Sequence, residues 1–248
     1  LLENNSIEAV KNNIIGTLNL VQASLENKCE KFIFISTDKA VRPTNIMGAT
    51  KRFAEIILQS YTSEYLKDSK TIFSIVRFGN VLNSSGSVIP LFNKQIENLG
   101  PITVTDPEVT RYFMSTNEAV GLILYSTTLA KGGEVFILDM GKPLKIIDLA
   151  KKMVKLSGLT EKNSSNPNGD IEIKFIGLRD GEKLHEELVI GSNIQNTENE
   201  YIFKSHENHL SFSMMNNYIK EFEFAIEKNN EKEIISILKN SIDGFIHK

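Results

Sequence analysis

Lys31 to Glu55 reads KFIFISTDKAVRPTNIMGATKRFAE, and the fold is decided here. Lys31-Phe32-Ile33-Phe34-Ile35 is a β-branched and aromatic run bounded by polar residues, the pattern of a buried strand in a parallel sheet. Ala49, Phe53, Ile56, Ile57 and Tyr61 recur at helical spacing, which predicts a helix from about Asn45 to Tyr65. Strand, polar turn and helix in that order form one step of an alternating α/β chain. Open α/β sheets bind ligands beyond the carboxyl ends of their strands, where Ser36, Thr37, Asp38 and Lys39 stand. Met47 and Lys51, four residues apart, share one helix face and can address one ligand.

The alternation continues on both sides. Ile14, Leu18, Val21 and Leu25 predict a helix over Ile7 to Leu25. Downstream, Thr71 to Arg77 reads as a strand with Phe78-Gly79-Asn80 as its carboxyl-end loop. Ser84 to Ser87 leads into a helix of about Val88 to Asn98, with backbone amides suited to an anion or a sugar. Short strands are expected at Ile102 to Thr105 and Thr110 to Met114, and a helix at Thr116 to Leu129. A further strand of the main sheet is expected at Val135 to Leu138, then an amphipathic helix at Lys145 to Ser157. A polar loop, Thr160 to Gly169, precedes a strand at Ile171 to Ile176 and the polar segment Arg179 to Lys183. A second polar stretch, Gly191 to Glu200, comes before helices near Ser213 to Glu227 and Glu231 to Ile246.

Composition narrows the class. With 41% hydrophobic and 24% charged residues over 248 positions, the chain can bury a core. A net charge of −3 and a pI near 5.9 leave no basic footprint for nucleic acid. The single Cys29 excludes an intramolecular disulfide, and four scattered histidines make no metal-ligand spacing, so no metal is expected. The longest apolar stretch, near Ala119 to Leu124, is far below the roughly 20 residues of a membrane helix.

Ser36 to Glu55 closely resembles the C5-retaining UDP-N-acetylglucosamine 4,6-dehydratases of bacterial polysaccharide and glycoprotein biosynthesis, within the short-chain dehydrogenase/reductase superfamily. Other members of that superfamily carry Tyr-x-x-x-Lys where this chain has Met47-x-x-x-Lys51. A thioether cannot exchange a proton, and methionine within this TDK and MxxxK frame marks the retaining group. The resemblance runs on through RFGNVLNSSGSVIPLF (Arg77 to Phe92), VTDPEVTRYFM (Val104 to Met114) and LRDGEKLHEEL (Leu178 to Leu188), and so covers nearly the whole chain.

What the resemblance implies is specific. The fold would be α/β, a partial Rossmann-like doubly wound parallel sheet lacking its first half, with a smaller α/β substrate-binding region towards the C-terminus. NAD would be the recycled cofactor and a UDP-sugar the substrate. Hydride would leave C4 for NAD, water would be lost across C5 and C6, and hydride would return to C6 with the C5 configuration kept. Thr37 would hold the C4 oxygen, Asp38 protonate the departing hydroxyl, Lys39 take the C5 proton, Met47 replace the phenol and Lys51 bind the nicotinamide ribose. Asn13, Ser36, Phe78 and Val81 would complete the cofactor contacts. Asn80, Ser85, Gly86, Ser87, Val88, Arg111, Arg179 and Glu182 would contact substrate. An acid role for Asp38 and a base role for Lys39 pull against an ion pair between them, because pairing favours both charged forms.

The glycine-rich turn of the family lies upstream of its equivalent of the first helix, so the chain is expected to be the C-terminal portion of a longer protein. Residues 1–158 would be the second half of the NAD-binding domain, with substrate-binding segments interleaved at about 80–114. Residues 159–248 would complete the substrate-binding region and end in helices. The outer edge of the Phe32 to Ile35 strand would then stand open. The full-length protein is expected to be a homo-oligomer, through helices such as Asn45 to Tyr65, and to lie in the cytoplasm or at the inner membrane face through a membrane-embedded upstream part. The alternatives are a C5-inverting dehydratase, a non-catalytic UDP-sugar-binding module and a simple oxidoreductase. The plain alternatives for single residues are a capped solvated turn for Asp38, a core methionine for Met47, and arginines paired with Glu108 or Glu182 for Arg111 and Arg179. His185, His206, His209 and His247 are expected to be structural or exposed.

Overall fold

The computed structural model describes residues 2–65, 69–84, 86–189 and 194–247. In chain order its elements begin with α1 (Ser6–Val10), a π turn (Lys11–Ile15), α2 (Gly16–Glu26), β1 (Lys31–Thr37), α3 (Ile46–Tyr65), β2 (Ile72–Phe78), β3 (Asn80–Val81) and α4 (Val88–Glu97). There follow β4 (Ile102–Val104), β5 (Thr110–Arg111), β6 (Phe113–Met114), α5 (Thr116–Leu129), β7 (Val135–Leu138), β8 (Leu144–Lys145), α6 (Ile146–Leu156) and β9 (Glu161–Lys162). The last are β10 (Ile171–Phe175), β11 (Ile194–Asn196), β12 (Ile202–Ser205), α7 (Phe212–Glu227) and α8 (Glu231–Ser241). The helix expected over Ile7 to Leu25 is thus broken by one π turn, a feature that often marks functional positions. Asn13 lies on it.

The chain forms two compact units: Leu1–Phe78, Val120–Asp139 and Glu187–Lys248 in the first, Gly79–Ala119 and Met140–Glu186 in the second. This differs from the division expected near residue 158. Contacts follow packing and not chain position, and the closing helices α7 and α8 seal the core of the first unit.

That unit is built on a five-stranded sheet of order β1-β2-β7-β12-β11. β1, β2 and β7 are parallel, with Lys31 opposite Ile72 and Thr37 opposite Phe78, which sets the ends of β1 and β2 level. β12 runs antiparallel to β7, and β11 antiparallel to β12. These two strands are absent from the sequence reading and make the sheet mixed. At three and four residues they are too short to show a period of two, and pairing such as Ile202 with Leu138 creates them. Among the described strands β1 has β2 as its one neighbour, and Ile35 is 41% exposed. The open edge expected for this strand is therefore present.

Helix α3 is the central post. Phe53, Ile56, Ile57 and Tyr61 are buried as their spacing predicts, yet so are Arg52, Glu55, Gln59 and Ser60. The second set is covered because the α7–α8 pair packs on α3, with the Phe53 and Phe222 rings edge to face at 5.1 Å. The apolar stripe of α3 is thus consumed within the first unit.

The second unit has a parallel three-stranded sheet, β4-β10-β9, and two small pairs, β3-β6 and β5-β8. Phe92, Ile102, Val104, Ile146, Val154 and Ile171 form its core. Gln95 of α4 clamps β4, accepting from the Thr103 amide at 3.1 Å and donating to its hydroxyl at 2.8 Å. Among the described residues no helix is long and apolar enough to cross a membrane.

Candidate functional site

In the first unit the turn after β1 gathers the residues singled out by sequence. Thr37 is still extended and accepts from the Lys39 amide, starting the single 3-10 turn Asp38–Ala40. Asp38 is fully buried, and its Oδ1 accepts from Thr37 Oγ1 at 2.9 Å and from Lys39 Nζ at 2.8 Å. Its Oδ2 is buried without a hydrogen-bond partner among the described residues. Asp38 and Lys39 therefore do not point apart, and the tension between the acid and base roles is real in this geometry.

The first turn of α3 lies directly on this turn. Asn45 Oδ1 accepts from the Gly48 amide at 2.8 Å, an N-cap that starts the helix. At Gly48 a β-carbon would collide with the Lys39 carbonyl oxygen, so glycine is what lets helix and turn touch. Met47 is half-buried beside it. One helical turn on, Lys51 Nζ donates to the Ile35 carbonyl at 2.7 Å and sits 3.9 Å above the Phe34 ring. Burial lowers its pKa to about 8, against the opposing pull of the Glu55 carboxylate.

Asn13, on the π turn, donates to Thr50 Oγ1 at 2.9 Å. That bond holds the first helix to α3, one residue before Lys51. Ser36 is buried beside the Glu55 carboxylate. Phe78, at the end of β2, is half-buried and level with Thr37.

Beneath these groups is a set that sequence reasoning missed. Arg77 of β2 is fully buried and bridges Glu55 (2.7 Å) and Glu207 (2.7 Å), while Arg52 bonds both as well (2.9 and 3.0 Å). Burial would raise the Glu55 pKa, but the Arg77 and Arg52 guanidinium groups outweigh it and hold the carboxyl below its usual range. The Arg77 pKa is raised, its two carboxylates outweighing a burial that acts the other way. The available signal was a charge inside the buried run Ile72 to Phe78, since such a charge requires a partner. A cavity of about 570 Å³ lies over this network, but its two arginines are already spent, Arg52 as above and Arg42 on Glu187 at 2.8 Å.

The second unit holds the substrate candidates. A cavity of about 200 Å³ is lined by Asn80, Gly86, Ser87, Val88, Arg111, Arg179 and Glu182. Seven of the eight residues proposed for substrate contact thus line one hollow; the eighth, Ser85, falls outside the described residues. Thr103, Thr105 and Phe113 also line it and were not singled out by sequence, since short strands carry too little pattern to assign a face. Val81 does not line it; β3 pairs it with Met114.

Ser87 stands at the N-cap of α4 but makes no capping bond, and its Oγ is buried without a partner among the described residues. Arg111 Nη2 donates to Glu182 Oε1 at 2.8 Å, and Glu182 also accepts from Thr105 Oγ1 at 3.0 Å and the Arg179 amide at 3.1 Å. The plain reading of Arg111 as the partner of Glu182 is therefore correct as a contact. Glu108 bonds Lys145 instead, at 2.8 Å. The Arg179 side chain is exposed. An unspent hydroxyl at a helix N-terminus, with the exposed Arg179 guanidinium on the same cavity, is chemistry for an anion with polar substituents, while Arg111 is held by Glu182 and the Thr110 and Leu184 carbonyls.

A family model described as polysaccharide biosynthesis protein matches residues 1–207. The chain is 57% identical over 189 residues to the capsular polysaccharide biosynthesis protein CapD of Staphylococcus aureus, covering 76% of this chain and 30% of that protein. Among solved structures it is similar to Pen from Bacillus thuringiensis, with a TM-score of 0.71, 36% identity, and coverage of 88% of this chain and 71% of that one. The fold is also that of DesIV, a dTDP-glucose 4,6-dehydratase from Streptomyces venezuelae with NAD and TYD bound, at a TM-score of 0.64 and 19% identity over 93% of this chain and 72% of that one.

Proposed function

This chain belongs to the polysaccharide biosynthesis protein family that matches residues 1–207, and from that premise we propose that it carries out the dehydration of UDP-N-acetylglucosamine to a 4-keto-6-deoxy sugar with C5 retained. The chain spans 30% of the length of the Staphylococcus aureus relative, so the reaction is proposed for the full-length protein that carries it. The observation that bears the reading is the buried Asp38, with an Oδ2 unpartnered among the described residues, paired with the half-buried Lys39 and packed against the Met47-x-x-x-Lys51 turn.

NAD, when bound, supplies hydride acceptance at the sugar C4 and its return at C6. The residues present fit the nicotinamide-ribose end of that cofactor: Lys51 lies at the β1 edge with its pKa near 8, and Asn13 bonds the residue before it. Phe78 at the β2 end would lie against the same group, with Ser36 contributing backbone.

Lys51 would place positive charge near C4, where alkoxide develops as the hydroxyl proton passes to water, and the Thr37 hydroxyl would hold the C4 oxygen; the Asp38–Lys39 pair regains one proton from water at the end of the cycle. With C4 a ketone the C5 proton is acidic. The two roles require Lys39 as a free amine and Asp38 as an acid, the state reached when one proton passes from Lys39 Nζ to Asp38 across their 2.8 Å contact. The amine then takes the C5 proton, the acid protonates the C6 hydroxyl, and water departs. Once its ammonium has exchanged with solvent, Lys39 delivers a proton to the face that lost one, which keeps the configuration and labels C5. Met47 supplies bulk and no proton. Within the second unit, Ser87, Arg111 and Arg179 are proposed as contacts for phosphate and hydroxyl groups, with Asn80, Gly86, Val88 and Glu182 shaping the cavity.

Full-length protein turned over in heavy water is expected to release a 4-keto-6-deoxy product with one deuterium at C5 and no net NADH, and turnover in ordinary water is expected to give a product whose H5 coupling is that of the retained configuration. Absence of keto sugar, or steady NADH formation, overturns the reading.

The pH profile tests Lys51 separately. Its ammonium is lost as pH rises through about 8, so kcat/KM is expected to fall on the alkaline side near that value, and Lys51→Arg to abolish the fall. An unfolded lysine keeps its proton to the ordinary 10.5. The unfolded chain therefore binds more protons between about 8 and 10.5, and this group makes folding more favourable as pH rises through that window.

A further inference from the structure

We infer that Glu3 is a positioning residue for the helix that carries Met47 and Lys51. A helix leaves its first amides without partners, and in α3 each has an identified acceptor. Glu3 Oε1 accepts from Ile46 N at 2.8 Å and lies 3.5 Å from Met47 N. Asn45 Oδ1 takes Gly48 N, and the Asn45 carbonyl takes Ala49 N at 3.0 Å. Ala49 thus makes the first bond of the helix ladder, and two of the three orphan amides before it, at Ile46 and Met47, depend on a carboxylate more than forty residues upstream, delivered by the 3-10 turn Leu2–Asn4. Its negative charge also sits at the positive end of the helix dipole.

The opposite end of the chain braces it. His247 Nε2 lies 3.7 Å from Glu3 Oε2, the Ile246 amide donates to the Pro43 carbonyl at 3.3 Å, and Phe245 is buried in the core. Both ends therefore converge on the loop Val41–Asn45, between Lys39 and Met47. This bracing segment lies past residue 207, where the family match ends. Because Gly48 touches the Lys39 carbonyl with no room for a side chain, fraying of the first helical turn would displace Lys39 as well as Met47. Glu3 acts through these groups and touches no substrate itself.

The inference rests on the proposed dehydration, and its test separates the two. In the full-length protein Glu3→Ala is expected to lower kcat about tenfold while KM changes by less than about threefold, as loss of a cap and a small displacement of reacting groups would do. Amide hydrogen exchange of residues 44–51 should quicken in the same variant. Glu3→Gln keeps an acceptor oxygen and is expected to stay within about threefold of the parent in kcat. A Glu3→Ala protein with parental kcat but a lower melting temperature overturns the positioning role and leaves a stabilising cap only. Equal losses in both variants overturn the capping account. Should the parent release no keto sugar, the dehydration reading fails, and exchange alone decides for Glu3: unchanged exchange at 44–51 in Glu3→Ala overturns it.

Discussion

Lys39→Met in the full-length protein is expected to slow C5 deuterium incorporation and dehydration of UDP-N-acetylglucosamine together by about 10²–10⁴-fold, the range that a lost general base accounts for. The side chain is matched in length, so the Asp38–Lys39 contact is lost with little change of shape. Oxidation at C4 does not use this amine, so a bound 4-keto species and its reduced cofactor should build up, visible as an absorbance burst in a single turnover. Mass spectrometry of recovered sugar is the decisive measurement. Deuterium at C5 in the variant, at the parental rate, would take the base role from Lys39 and pass it to water or Asp38. The 2.8 Å ion pair sharpens the expectation. Without its partner, Asp38 keeps only the Thr37 hydroxyl on Oδ1 and an unpartnered Oδ2.

Arg77→Met is expected to cost about 3–5 kcal/mol of folding stability, the magnitude for breaking a buried ion pair on one side. Arg77 and Glu55 are both 0% exposed, and the Arg77 guanidinium also donates to Glu207. Its loss would leave two buried carboxylates to Arg52 alone. Arg77→Lys should be nearly as costly, because an ammonium cannot fork between two carboxylates. Urea unfolding is the direct check, and a loss below about 1 kcal/mol would contradict the network as a structural element. The pH dependence has a definite sign. The folded Glu55 carboxyl is held below its usual value of 4.5, so its contribution is present above that value and lost as pH falls through the folded one. Removing Arg77 removes that contribution, and the acid-unfolding midpoint of the variant should move to higher pH.

The two predictions differ in how far they could be read from sequence. Thr37, Asp38 and Lys39 were identifiable because a strand ending in polar residues, followed by a capped helix, places its chemistry locally. Seven substrate candidates were legible through the resemblance of their segments, and the structure brings them to one cavity. The four-charge network was not legible. Its members stand at positions 52, 55, 77 and 207, on three separate segments, and no local pattern signals that they meet. The strands β11 and β12 escaped for a related reason, since segments of three and four residues become strands only when a neighbour supplies the ladder.

By itself the sequence determined the alternating elements, the α/β class and the polar turn that leads into the helix carrying Met47 and Lys51. All of these rest on periodicity and on residues within one or two helical turns of each other. Tertiary structure alone decided that α7 and α8 close over α3, that the chain divides at residues 78, 119, 139 and 186, and that Asp38 and Lys39 meet as a pair. Glu3 belongs with these, since a carboxylate finds a helix amide forty-three residues away only once the backbone has folded to bring them together.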